Sequence, residues 1–524
     1  MSDKSNGKKM GMTRRNFLQA SALGAAMMVA PEIVWAGGRK ILRTREYMGI
    51  TSFDPAIMSG IPEETANAAI YNKLISFKPG EQWAWQLEIA ESIEQVDPTH
   101  IKFKLKPGVK FTDGFGEMTT EDVKFSFERH LDPKLKSQLK GDLGPFTNVD
   151  IVDKYSGVIV LKEPFQPFWM VALPYMACNI ISKKATEKAG GTFTTPPCSS
   201  GPYKFKEWKQ KERTVLVRNP DWNGPPADFD EIHMLVMDDE KTAEIAFEAG
   251  DVDYTRISLE SLGNFLSKPP ANSTVLTRPS TYYVWLGMNT ENEVLKDIKI
   301  RKAVQSALDV GAILKAAYFD AAKRATGMVA PGLLGHREKN LTPDKPDVEK
   351  AKKLLAEAGH AKGLKLTLDV LNKSTWVTAA QVIQASLAAA GIELQINMHD
   401  SGTFWSLGDQ SKGDSWKKVQ LILNRFSTAP DPYYTLQWFT KEQVGIWNWE
   451  RWVNPEYDSL HQKAAVELDI AKRGQMYQRM QDLMEESGAY TFITNEVVPV
   501  IFRNDIKPAL RPDGLPLLRY FKSA

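Results

Sequence analysis

Hydrophobic and polar residues alternate in two distinct regimes along this chain. From Ile41 the segment ILRTREYMGI reads as a strand, followed by a turn at SFDPA and a helix over PEETANAAIYNKLI, where Pro62 and the acidic pair Glu63-Glu64 form a favourable first turn. Next come SIEQVD and HIKFKLKPGVKF, with Ile101, Phe103 and Leu105 on one face and lysines on the other, the period-2 signature of a half-buried strand pair. TTEDVKFSFERHLDP reads as a helix that stops before Pro133, and YSGVIVLK, GPYKFKEW and RTVLVRN read as further short strands. Residues 76–215 are therefore strand-rich.

After Asp230 the regime changes. EIHMLVM precedes a helix over DEKTAEIAFEAGD, and YYVWLGMN precedes a helix over DIKIRKAVQSALDVGAILKAAYF. LKLTLDVLN precedes a helix over AAQVIQASLAAAG and the strand ELQINMH. This alternation predicts an α/β architecture with a mixed, largely parallel sheet. A long amphipathic stretch, 457–488, breaks near Asp469, and VVPVIFRND returns the chain to an early sheet.

Composition narrows the class. The 524 residues are 43% hydrophobic and 25% charged, enough to bury a large core. The N-terminus carries the pair Arg14-Arg15, a short Ala/Gly-rich apolar run, and Val34-Trp35-Ala36, the features of a twin-arginine export signal cleaved after Ala36. That apolar run is shorter than the roughly 20 residues a membrane span needs. Removing residues 1–36 takes away five basic and two acidic residues, so a net charge of +2 becomes −1 and no basic face argues for nucleic acid. The two cysteines, Cys178 and Cys198, form a candidate disulfide in an oxidising compartment.

Candidate chemistry is sparse. The seven histidines stand singly, and no phosphate-binding loop, nucleophile elbow or zinc motif occurs, so neither a cofactor nor a metal is expected and an enzyme is the weaker reading. Aromatic residues are concentrated instead: seven of the fourteen tryptophans fall between Trp376 and Trp452, which suggests an apolar pocket with a few polar groups.

Several ordered segments resemble the family 5 solute-binding proteins of ABC importers. They are AESIEQVDPTHIKFKLKPGVKFTDG with MTTEDVKFSFERHLDP, SGPYKFKEWKQKERTVLVRNPDWNG, EIAFEAGDVD, MNTENEVLKDIKIRKAVQSALDVGAILKAAYF and EKAKKLLAEAGHAKGLKLTLDV. The resemblance implies a two-lobed periplasmic binding protein (Venus-flytrap) fold of mixed sheets, with an extra strand-rich subdomain inserted in lobe I. The implied division places residues 37–75, 216–288 and 505–524 in the lobe I core, 76–215 in the inserted subdomain and 289–504 in lobe II. A monomer is expected, which would hand a small solute to permease subunits in the inner membrane.

The resemblance also points to the site. Peptide-binding members hold the ligand amine with an aspartate; the register set by Asp431-Pro432 puts Thr428 there and leaves Asp431 to fix the loop. Their carboxylate-binding arginine corresponds to the loop containing Lys373 and Trp376. Candidate ligand-facing residues are Ser52, Phe53, Tyr283, Lys373, Trp376, Trp405, Arg425, Phe426, Thr428, Asp431, Tyr433, Tyr434, Trp438 and Trp447. A peptide or amino-acid-derived solute is the leading ligand. An oligosaccharide, an opine-like conjugate or a quaternary ammonium compound held by cation–π contacts stays open beside it, as does a periplasmic hydrolase.

Overall fold

The computed structural model describes residues 40–58, 60–427 and 429–524. The export signal read over residues 1–36 and the candidate Thr428 lie outside the described residues.

Ten strands of one sheet carry the architecture. In chain order they are β1 (Ile41–Glu46), β2 (Tyr203–Lys209), β3 (Arg213–Arg218), β4 (Glu231–Val236), β5 (Tyr254–Arg256), β6 (Ser273–Met288), β7 (Leu364–Leu371), β8 (Ile392–His399), β9 (Leu421–Phe426) and β10 (Tyr490–Arg503). Their spatial order is β2-β3-β4-β1-β5-β10-β6-β9-β7-β8. β1 runs parallel to β4 and β5. β7 runs parallel to β8 and β9. The long antiparallel strands β6 and β10 belong to both halves: residues 273–279 pair with 497–503, and residues 283–287 with 490–495. Between Pro279 and Tyr283 the register slips, and at this irregularity one half-sheet hands over to the other. The result is two lobes joined by two continuous strands, each with its own apolar core, one around Leu42, Tyr203 and Val500, the other around Leu286, Leu368 and Ile383.

A four-stranded antiparallel sheet, 90–97, 100–105, 156–161 and 146–151 in spatial order, forms the inserted layer. Ile101, Phe103 and Leu105 point into its core while Lys102 and Lys104 face water, as the alternation requires. Its helix Thr120–Glu128 is closed by a capping box between Thr119 and Asp122. The insertion is tied to lobe I by the buried Asp54–Arg129 ion pair. β2 and the first residues of β3 were expected within the insertion, yet both strands form the edge of the main sheet, with Val215 opposite His233 and Leu216 opposite Ile232.

Two helical readings resolve at aspartates. The helix expected over 297–319 is two, Ile298–Ala307 and Val310–Tyr318, because Asp309 caps the second by accepting from the Ala312 N–H. The break near Asp469 falls where expected, between Pro455–Val466 and Ile470–Glu486.

The disulfide reading is corrected. Cys178 and Cys198 are separate buried thiols that fill the insertion core as small apolar groups. Burial pushes the Cys198 thiol up to about 12 and raises Cys178 as well, so neither supplies a thiolate at neutral pH.

Candidate functional site

In open parallel sheets, ligands sit beyond the carboxyl ends of the strands. Here both half-sheets turn those ends toward each other across the joint. From lobe I come Arg256 at the end of β5 and Glu240 at the start of the helix that follows β4. From lobe II come Lys373, Thr375 and Trp376 just after β7, and Arg425 near the end of β9. The joint itself supplies the floor, with Ser280, Tyr282 and Glu496 at the register slip. Together they enclose a cavity of about 420 Å³.

The cations of this cavity are not equivalent. Arg425 is committed: its Nη2 lies 2.7 Å from Glu496 Oε2, its Nε donates to the same oxygen at 2.8 Å, and its guanidinium carbon sits 3.6 Å from the centre of the Tyr282 ring. Burial pulls its pKa down, but the Glu496 carboxylate outweighs burial and holds the group above the ordinary arginine value. Arg256 and Lys373 make no ion pair and no side-chain hydrogen bond among the described residues. The Glu46 carboxyl also feels Arg256, but burial pushes its pKa up to about 8 against the pull of Arg256 and Arg45. At neutral pH Glu46 is mostly protonated, so it offsets little of the Arg256 charge.

A second chamber of about 350 Å³ opens beside the first and shares Tyr282 and Arg425 with it. Its walls are Trp405, Phe426, Trp438 and Trp447. Phe426 stacks with Trp405 at 6.2 Å and meets Trp438 and Trp447 edge-on at 6.4 and 5.8 Å, while Trp438 and Trp447 lie 6.1 Å apart. Behind them Trp285 packs on Phe426 at 4.9 Å and donates its indole N–H to Glu450 Oε1 at 2.8 Å.

Seven of the candidates read from the sequence line these two spaces: Lys373, Trp376, Trp405, Arg425, Phe426, Trp438 and Trp447. Six others do not. Ser52 donates to the Phe193 carbonyl inside lobe I, and Phe53 is sealed against Phe205 and Trp208 at 5.2 and 6.0 Å. Tyr283 faces the inner aromatic core, where its hydroxyl donates to the Thr435 carbonyl. Asp431 is buried against Arg473 at 2.7 Å and caps the helix Pro432–Leu436 by accepting from the Tyr433 N–H. Tyr433 stacks on His461 at 4.3 Å and packs on Phe165, and the Tyr434 hydroxyl donates to the Gly141 carbonyl, so both rings dock lobe II onto the insertion.

Sequence reasoning missed Arg256, Glu240, Ser280, Tyr282 and Glu496. Tyr282 was one residue away from the chosen Tyr283, and in a strand that single step reverses the face. Arg256 carried a usable signal as the last residue of a short strand, Tyr254–Arg256, in an α/β alternation. Glu496 carried one too, as a lone acid inside the apolar run of β10.

A cleft at the joint of two lobes, walled by both and floored by the strands that connect them, defines a hinged binding protein that closes on a small solute. The chain belongs to the bacterial extracellular solute-binding proteins, family 5, the substrate-binding components of ABC importers; the model of that family's middle region matches residues 84–445. It is 27% identical over 468 residues to the di/tripeptide-binding protein 2 of Pseudomonas aeruginosa (strain UCBPP-PA14), covering 83% of this chain and 85% of that one. Its fold is similar to HbpA2 from Haemophilus parasuis, with a TM-score of 0.82 at 22% identity over 92% of this chain and all (100%) of the other. It is also similar to MoaA from A.tumefacien R10 in complex with mannopinic acid, with a TM-score of 0.69 at 22% identity over 93% of this chain and 99% of the other.

Proposed function

We propose that the protein captures a peptide or amino-acid-derived solute between its lobes in the periplasm and delivers it, chemically unchanged, to the ABC permease subunits of the inner membrane. Export by the twin-arginine route, cleavage after Ala36 and a monomeric state complete the proposal. The observation that carries it is the pair of cations on opposite lobes, Arg256 and Lys373, that line one cavity at the joint and make no ion pair among the described residues. A ligand carboxylate that engages both gains charge-assisted hydrogen bonds only in the closed form, which couples binding to closure. The peptide ligand named for the Pseudomonas relative supports the same solute class.

Isothermal titration with a small set of di- and tripeptides tests this. Binding is expected at one site per chain, with the peptide recovered intact afterwards. Lys373→Ala and Arg256→Ala should each weaken it about tenfold to a hundredfold, the loss of one charge-assisted hydrogen bond of roughly 1.5–3 kcal/mol. Hydrolysed peptide, or unchanged affinity in both variants, refutes the proposal.

The aromatic chamber favours a second reading within the same fold, a non-peptide conjugate such as an opine-like compound or an oligosaccharide. The mannopinic acid named for MoaA belongs to that class of ligand.

A further inference from the structure

The two spaces at the joint differ sharply in chemistry and meet at one partition. On one side Arg256 and Lys373 face a polar cavity. On the other, Trp405, Phe426, Trp438 and Trp447 present ring faces and edges. The partition is the Tyr282 ring with the Arg425 guanidinium laid on it, held from behind by Glu496. The single fixed charge at the chamber wall is thus positive, and no acidic side chain lines the chamber among the described residues. Glu496 lines the polar cavity and not the chamber, and both Arg425 contacts, of 2.7 and 2.8 Å, fall on its Oε2.

Resting on the proposed function, we infer that the aromatic chamber is a distinct specificity subsite. It takes a neutral aromatic or branched apolar group of the same ligand whose carboxylate lies in the polar cavity, and Arg425 excludes cationic groups from it. The ring arrangement suits a planar or branched group, because edges and faces of different rings are offered at once. An ammonium group, lysine-like or quaternary, gains cation–π attraction only where no fixed cation shares the cage. Here it would meet the Arg425 guanidinium at short range, with the Glu496 carboxylate on the far side of the partition. The chamber's geometry therefore selects against the quaternary ammonium ligand that its aromatic content alone would suggest.

The test uses matched probes on the purified mature protein. One pair is 3-indolepropionate and tryptamine, the same ring carrying opposite charge; the other set is Ala-Phe-Ala, Ala-Leu-Ala, Ala-Lys-Ala and Ala-Ala-Ala, with the same residues also placed first and last. Affinities are read by titration calorimetry. 3-Indolepropionate should bind at least tenfold tighter than tryptamine. At one peptide position Phe and Leu should exceed Lys at least tenfold. In Trp438→Ala and Trp447→Ala these preferences should collapse to under threefold. A Lys preference at every position, or an aromatic preference that survives both tryptophan variants, overturns the inference. Tripeptide binding without side-chain preference also overturns it and leaves the proposed function standing. Binding of 3-indolepropionate with no tripeptide bound keeps the subsite and removes the peptide reading. No binding of any probe contradicts both.

Discussion

At the scale of single residues, the 425–438 segment separates contact from support. Asp431 is an acidic residue between prolines near a cleft, yet it is almost wholly buried, paired with Arg473 and capping a short helix. Trp438 is half-buried on the chamber wall, at the rim of the inner aromatic core. The two substitutions should therefore part company. Asp431→Ala leaves the Arg473 guanidinium buried without its partner and should destabilise the fold by about 3–5 kcal/mol in denaturant titration. Trp438→Ala should leave the unfolding midpoint within experimental scatter and weaken binding of aromatic ligands; equal stability loss in both would refute this division. The Asp-Pro turn and the clustering of tryptophans were visible in the sequence, and so was the stretch that walls the candidate chamber. Which ring of a Tyr-Tyr pair faces the cleft was not, because the strand slips register between Pro279 and Tyr283 and the parity count cannot cross that slip.

At the scale of elements, β6 is the instructive strand. Its lobe II half sends Val284, Leu286 and Met288 into one core and Tyr283 and Trp285 into another. Gly287 leaves room on the second face for the Glu450 carboxyl, which a Cβ at that position would strike. Glu450 is buried with Oε2 unpartnered, and burial pushes its pKa up to about 7 from an ordinary value of 4.5, against the pull of the Trp285 hydrogen bond. The folded state thus holds this proton more tightly than the unfolded chain. The associated stability is fully present below about pH 4.5 and is lost as pH rises through 7, by roughly 3 kcal/mol in all. Glu450→Gln keeps an acceptor for Trp285 and carries no charge, so the fall in unfolding free energy between pH 5 and 8 should be smaller in the variant by about that amount; parallel curves would contradict this account. Alternating β and α patterns made most elements legible beforehand, including the break at Asp469. The membership of β2 and β3 was hidden, since their partner β4 comes later in the chain and local patterning does not reveal which sheet a strand joins.

At the scale of the whole molecule, the two lobes, the insertion and the hinge strands form one device for enclosing a solute. The order of motifs announced the fold because each marks an element boundary with its own turn or cap chemistry. The cavity could not be read that way: it is assembled from Arg256, Tyr282, Lys373, Arg425 and Glu496, which come together only when β6 and β10 cross between lobes. The central claim is that opposed cations on the two lobes, Arg256 and Lys373, hold a carboxylate-bearing solute that is carried and not transformed. Native mass spectrometry of the protein purified from peptide-fed cells, beside its Arg256→Ala/Lys373→Ala double variant, tests it most directly. The account predicts one small carboxylate-bearing compound per wild-type chain, released unaltered on unfolding and missing from a double variant that remains folded. A wild-type chain that never carries such a compound or returns it cleaved, or a double variant loaded to the same extent, would contradict it.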